Sequence, residues 1–79
     1  MVLRRVIPVG EERRILLTTE RLAEGPWAVV ASVVESTPNG EWVVDLPVNE
    51  ERFSTQAAAE ASGEAQARRW IEQNVARAA

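Results

Sequence analysis

The pattern of apolar and polar residues predicts a central strand over residues 27–35. This segment (WAVVASVVE) is almost entirely apolar, so alternation leaves hydrophobic side chains on both of its faces. Such a pattern is typical of a strand inside a sheet with some cover on each side. One face would carry Trp27, Val29, Ala31 and Val33, and the other Ala28, Val30, Ser32 and Val34.

A hairpin is predicted directly after this strand. Residues 36–40 (STPNG) combine a proline, which presets one backbone dihedral, with Asn-Gly, which tolerates the positive φ of tight turns. Residues 41–46 then alternate and predict the returning strand, which Pro47 ends. Its inner face would carry Trp42, Val44 and Leu46, and its outer face Glu41, Val43 and Asp45.

Two further strands are predicted before the central one. Residues 13–20 (RRILLTTE) are rich in branched side chains and are followed by turn residues at 21–26. Residues 2–9 are mostly apolar but contain Pro8, which has no N–H for a ladder, so this segment is expected at the edge of the sheet. Residues 10–12 (GEE) separate the two strands.

The alanine-rich C-terminal part predicts a helix over residues 56–77, capped by the hydroxyl of Ser54 or Thr55. A glycine inside a helix costs about 1 kcal/mol relative to alanine, so Gly63 indicates close packing against a sheet. The sheet-facing side would carry Ala59, Gly63, Ala67, Trp70, Ile71 and Asn74.

A rival apolar side of the same helix is weaker. It contains two charged residues, Glu64 and Arg68, whose burial would be costly. On the preferred assignment these two residues form an exposed i,i+4 pair instead. The rival side would carry Ala57, Ala61, Ile71 and Val75.

These elements together predict an α+β fold. The sheet is expected to be an antiparallel β-meander of three to four strands, with residues 13–46 as its main part and residues 2–9 as a possible edge. One C-terminal α-helix would pack on one face. We expect a single domain over residues 1–79, with the second sheet face left uncovered.

Composition argues against an enzyme. The chain has no cysteine and no histidine, so a disulfide framework and the usual ligands of zinc and haem are missing. The carboxylates considered for acid–base chemistry, Asp45, Glu50 and Glu51, are expected on a solvated strand face and in a loop. The sequence therefore predicts no catalytic, cofactor-binding or metal-binding residues.

The charge balance argues against polyanionic partners. Nine basic residues, all arginines, face twelve acidic ones, for a net charge of −3. No stretch approaches the roughly 20 apolar residues of a membrane span, and the N-terminal apolar run is too short for a signal peptide. We expect a cytoplasmic protein without membrane partners. The lysine-free, arginine- and alanine-rich composition is typical of a GC-rich bacterial genome.

Three short motifs can be recognised along the chain. Residues 22–27 (LAEGPW) lead into a strand, Phe53-x-Thr55 opens the helix, and residues 68–71 (RRWI) follow Gly63 near its end. In these motifs, residues 13–74 resemble uncharacterised bacterial domains of strand-strand-strand-helix organisation. The chain differs by its additional segment 2–9 and by Gly10 where those domains would have an aromatic residue. The resemblance implies the fold and transfers no active site.

Tryptophans and arginines are the remaining candidates for binding. The chain has three tryptophans, and aromatic rings in a basic groove can stack on nucleic-acid bases. Core packing is the stronger interpretation for Trp42 and Trp70, whereas Trp27 at a strand start is expected to be partly exposed. The two arginine pairs at 4–5 and 13–14 are expected at solvated strand ends.

These observations favour a non-catalytic protein-interaction or accessory domain. We expect it to form a homodimer, or to dock on another protein, through its open sheet face or edge. That face would expose Val43 with either Val30 and Val34 or Val29 and Val33, since the sequence does not fix the hairpin register. The alternative is a small single-stranded nucleic-acid-binding domain that uses Trp27 or the pair at 4–5.

Overall fold

The computed structural model describes residues 1–23, 25–48 and 50–74. Four antiparallel strands form one open sheet in the order β1-β2-β3-β4, and a C-terminal helix packs on one of its faces. The predicted α+β fold, a β-meander with one helix, is confirmed. The elements are β1 (Val2–Val9), β2 (Arg13–Arg21), β3 (Trp27–Thr37), β4 (Gly40–Asp45) and α1 (Gln56–Gln73).

Tight loops join the strands at one end of the sheet. Val9 pairs with Arg13 across the first hairpin, where Gly10 supplies a φ of 71°. In the second hairpin Thr37 pairs with Gly40, whose φ is 126°. The predicted turn began at residue 36, whereas β3 continues to Thr37 because the loop proper needs only residues 38–39.

The first strand shows how an edge tolerates proline. The N–H of Arg21 donates to the carbonyl oxygen of Met1, so alternate residues of β1 bond to β2 and Val2, Arg4, Val6 and Pro8 turn their backbone outward. Since the nitrogen of Pro8 faces away from β2, its missing N–H removes no ladder bond. The expected edge strand over residues 2–9 is confirmed.

Of the two candidate N-caps, Thr55 caps the helix and Ser54 does not. The hydroxyl of Thr55 accepts a hydrogen bond from the N–H of Ala58 at 3.1 Å. The described helix ends at Gln73, where the N–H of Asn74 donates to the carbonyl oxygen of Ile71. The helix predicted from the sequence continued to residue 77, and residues 75–77 lie outside the described ones.

The small-residue side of the helix lies on the sheet, as the pattern predicts. At Gly63 an added Cβ would lie 2.8 Å from Cγ2 of Val29 and 3.0 Å from Cδ2 of Leu17, so only glycine permits this approach. On the rival side Ala57 and Ala61 are exposed. The helix buries Ala59, Gly63, Ala67 and Ile71 against a sheet core that includes Ile15, Leu17, Val29, Ala31 and Val33.

The prediction that Trp42 belongs to the core is wrong. Trp42 does lie on the helix side of the sheet, opposite Glu35, but it is 59% exposed. The helix packs on β2 and β3, and β4 lies at the edge of the sheet beyond it. Trp70 is half-buried and packs against the core, as expected.

The prediction that Arg13 is a solvated strand end is also wrong. Its side chain is 12% exposed, and its Nε donates to Oε2 of Glu35 at 2.8 Å. The register places these two residues opposite each other, directly below the end of the helix. There the Arg13 Nη2 donates to the carbonyl oxygen of Asn74 at 2.6 Å, and the guanidinium lies 6.0 Å from the ring centroid of Trp70.

Candidate functional site

The candidate site is the sheet face that points away from the helix, here called the open face. Every second residue of a strand lies on this face. Two residues that are opposite each other on neighbouring strands lie on the same face, so the register identifies all its members. The register resolves the alternatives left by the sequence: Val30, Val34 and Val43 share the open face, while Val29 and Val33 lie beneath the helix. The open face consists of Val2, Arg4, Val6, Pro8, Arg14, Leu16, Thr18, Glu20, Ala28, Val30, Ser32, Val34, Ser36, Glu41, Val43 and Asp45.

Aliphatic side chains cross the open face from one edge to the other. Val43 is opposite Val34, and Leu16 is opposite Val6. Four valines of the open face are exposed, Val2 and Val6 at 53% each, Val30 at 41% and Val43 at 60%, and the last three belong to a continuous band. The residues of this apolar band are Val6, Leu16, Val30, Val34 and Val43.

A salt bridge covers one part of the apolar band, at Val34. The Arg14 Nη2 lies 2.8 Å from Oε2 of Glu41, so the pair reaches across β3 from β2 to β4. Val34, which is opposite Arg14, is only 5% exposed beneath this pair. Both charged side chains remain partly exposed, so the pair acts mainly as cover and contributes little to stability by itself.

The buried serine of the open face is hydrogen-bonded within the chain. Ser32 is buried, and its Oγ donates to Oδ1 of Asp45 at 2.8 Å. A partner that covers this part of the face therefore leaves no serine hydroxyl without a hydrogen bond. Asp45 itself is exposed, as predicted, and so are Glu50 and Glu51.

Charge is divided between the two edges of the open face. Arg4 is exposed on β1, whereas Glu41 and Asp45 are exposed on β4. Arg5 points to the other side of the sheet, where its Nη1 lies 3.4 Å from Oε1 of Glu60. One margin of the open face is therefore basic and the other acidic, with the apolar band between them.

The residues proposed for nucleic-acid stacking do not meet on this face. Trp27 lies on the helix side, on the same face of β3 as Val29. Its backbone pairs with that of Phe53. Trp42 lies on the same side, and Trp70 belongs to the helix. The open face thus offers aliphatic side chains and one exposed arginine, without a tryptophan for base stacking.

A groove also opens beside the two hairpin loops, on the helix side. It has a volume of about 770 Å³, and its lining includes Val9, Arg13, Glu35, Thr37 and Trp42. Arg13 already donates to Glu35 and to helix carbonyl oxygens, so its guanidinium is committed to the fold. Within the described residues, no cluster of three or more carboxylates is placed to hold a metal ion.

Some members of the open face were missed by the sequence reasoning. Leu16 and Val6 complete the apolar band, whereas the sequence-based prediction named only valines of β3 and β4. Alternation along residues 2–9 and 13–20 carried the necessary signal, since it places Val6 with Arg4 and Leu16 with Arg14.

Comparisons with protein-family models, curated proteins and solved structures find no match to the chain. Among residues 1–23, 25–48 and 50–74, no helix is long and apolar enough to cross a membrane.

Proposed function

We propose that this protein is a non-catalytic interaction domain that self-associates by packing its open face against that of a second copy. The observation that carries the proposal is the apolar band, in which Val6, Val30 and Val43 are each about half exposed. Aliphatic side chains grouped across one sheet face are typical of interfaces in small proteins. The helix covers only the opposite face.

The size of the face predicts a weak dimer. Four strands spaced about 4.8 Å apart, with about six residues each, present roughly 400 Å². A standard interface buries about 800 Å² on each partner. We therefore expect association in the micromolar range or weaker.

The charge distribution favours one orientation of the two copies. A two-fold axis parallel to the strands places β1 of one copy over β4 of the other. Arg4 of each copy then lies near Asp45 of the other, twice in the symmetric dimer. The apolar band of each copy lies between these two charged contacts.

Sedimentation equilibrium with two matched variants tests the proposal. Val30 lies on an inner strand in the middle of the open face, so Val30→Arg places a charge there without touching the helix-side core. Val48 is 71% exposed outside the four strands, and Val48→Arg is the control for the same change. At micromolar concentrations, wild type and Val48→Arg should dimerise with rising concentration, whereas Val30→Arg should stay monomeric. A monomeric wild type, or equal dimerisation of Val30→Arg, contradicts the proposal.

The nucleic-acid alternative receives no comparable support. It needs aromatic rings in a basic groove, and the net charge is −3. Fluorescence anisotropy with labelled single-stranded DNA at low ionic strength tests it directly, because phosphate contacts are strongest there. We expect no binding. Salt-sensitive binding that Arg4→Ala weakens would favour the alternative.

A further inference from the structure

The two edge strands of the sheet match each other in charge and in hydrogen-bonding pattern. We infer that β4 of one copy adds to β1 of a second copy and continues the antiparallel sheet from protomer to protomer. This contact is separate from face-to-face packing, because it joins the edges and leaves the open faces free.

Hydrogen-bond directions define what each edge presents. On β1, Val2, Arg4 and Val6 turn their N–H and carbonyl groups away from β2, whereas Pro8 turns out a carbonyl oxygen without an N–H and so ends the available ladder. On β4, the N–H of Leu46 donates to the carbonyl oxygen of Ala31, so Leu46 and alternate residues before it bond to β3. The outward groups of β4 therefore belong to Glu41, Val43 and Asp45.

One antiparallel register pairs the two edges favourably. With Val6 opposite Val43 of the second copy, Arg4 is opposite its Asp45, and all four residues point their backbone groups into the new ladder. On the helix side the same register sets Ile7 opposite Trp42. Trp42 is 59% exposed and Val43 is 60% exposed in the single chain, so this contact covers two large apolar side chains.

Pairing of like edges is disfavoured by charge. Two β1 strands in antiparallel register around Arg4 bring Arg4 against Arg4 of the second copy. Two β4 strands around Val43 bring Glu41 against Asp45. Like charges directly opposite each other destabilise a strand pair, so these two registers are disfavoured, whereas the β4–β1 register pairs opposite charges.

The geometry allows repeated addition. Successive strands of the meander alternate in direction, so β4 of one copy lies antiparallel to β1 of the next with all helices on the same side. Neighbouring helices are then about 19 Å apart, which exceeds the diameter of about 10 Å of a helix with its side chains. A head-to-tail contact of this kind does not close on itself, so it produces short open chains at high concentration.

A charge-exchange experiment tests the inference, with every protein carrying Val30→Arg so that face-to-face packing is removed. In sedimentation velocity at high concentration, the Val30→Arg protein should form oligomers. Adding Arg4→Glu places a carboxylate opposite Asp45 of the second copy, and adding Asp45→Arg places a guanidinium opposite its Arg4. Each should weaken assembly roughly tenfold, and an equimolar mixture of the two should restore it, because each edge then meets an opposite charge.

A further variant separates the edge contact from the open face. Trp42 lies on the helix side of β4, so Trp42→Ser should weaken the edge-to-edge assembly of the Val30→Arg protein. In the wild-type background the same substitution should leave the face-to-face dimer intact. Absence of oligomers in the Val30→Arg protein up to its solubility limit overturns the edge inference, as does a mixture that fails to recover assembly. A wild-type dimer that persists in that case leaves the proposed function standing.

Discussion

The Arg13 Nε donates to Oε2 of Glu35 at 2.8 Å, and both side chains are nearly buried between two adjacent strands and the end of the helix. The same guanidinium donates to the carbonyl oxygens of Ile71 and Asn74. Arg13 thus neutralises a buried carboxylate and also binds carbonyl groups at the negative end of the helix. This ion pair holds the helix C-terminus on the sheet.

Replacing Arg13 or Glu35 alone should lower the free energy of unfolding by more than half of the loss caused by replacing both. We expect Arg13→Met to lower the free energy of unfolding by about 3 kcal/mol, because it removes the guanidinium that bonds Oε2 of the buried Glu35. In urea denaturation, the double variant with Glu35→Met should lose clearly less than the sum of the two single variants. Additive losses would show that the pair is not coupled.

Position 63 should not accommodate even the methyl group of alanine without loss of stability. Alanine normally gains about 1 kcal/mol over glycine inside a helix. Here its Cβ would approach Val29 to 2.8 Å, and overpacking costs about 1–3 kcal/mol, so Gly63→Ala should destabilise by about 1 kcal/mol net. A second substitution, Val29→Ala, should reduce this penalty by making room. Stabilisation by Gly63→Ala alone would contradict the close approach.

The helix cap should depend on one hydroxyl only. Thr55→Ala removes the side-chain acceptor for the N–H of Ala58 and should cost about 1 kcal/mol of unfolding free energy. The matched change Ser54→Ala, one residue earlier, should have little effect, because Thr55 is the cap. Chemical denaturation of both variants distinguishes the two residues, and equal losses would contradict the assignment.

Two tryptophans on the helix side of the sheet should behave differently. Trp70→Ala removes a ring that packs on the core and lies near Arg13, and we expect a loss of about 2 kcal/mol. Trp42→Ala should cost under about 1 kcal/mol in the monomer, since 59% of the residue is exposed. Denaturation at low protein concentration measures both effects. A larger loss at Trp42 would place it in the core after all.

These residues also show what the sequence could determine. Alternation and turn residues are local signals, and they predicted the strands, the central position of residues 27–35 and the edge strand with Pro8. The helix side at Gly63 followed from spacing and from the cost of burying Glu64 and Arg68. All of these depend on neighbours within a few positions of the chain.

The features that the sequence did not predict depend on contacts between segments that are distant along the chain. Arg13 and Glu35 become partners only through the β2–β3 register, and nothing near either residue indicates burial. Trp42 has the alternation of a core residue, yet its exposure follows from the position of the helix over β2 and β3. Whether Val29 or Val30 belonged to the open face likewise required the register of the central strand.

The central claim is that the open face packs against a second copy. Isotope-filtered NOE spectroscopy on a mixture of labelled and unlabelled protein, at a concentration where dimer is populated, tests it most directly. We predict intermolecular NOEs from the methyl groups of Val30 and Leu16, and none from the core methyl groups of Ile15 beneath the helix. Intermolecular NOEs confined to residues outside the open face, or none at all, would contradict the claim.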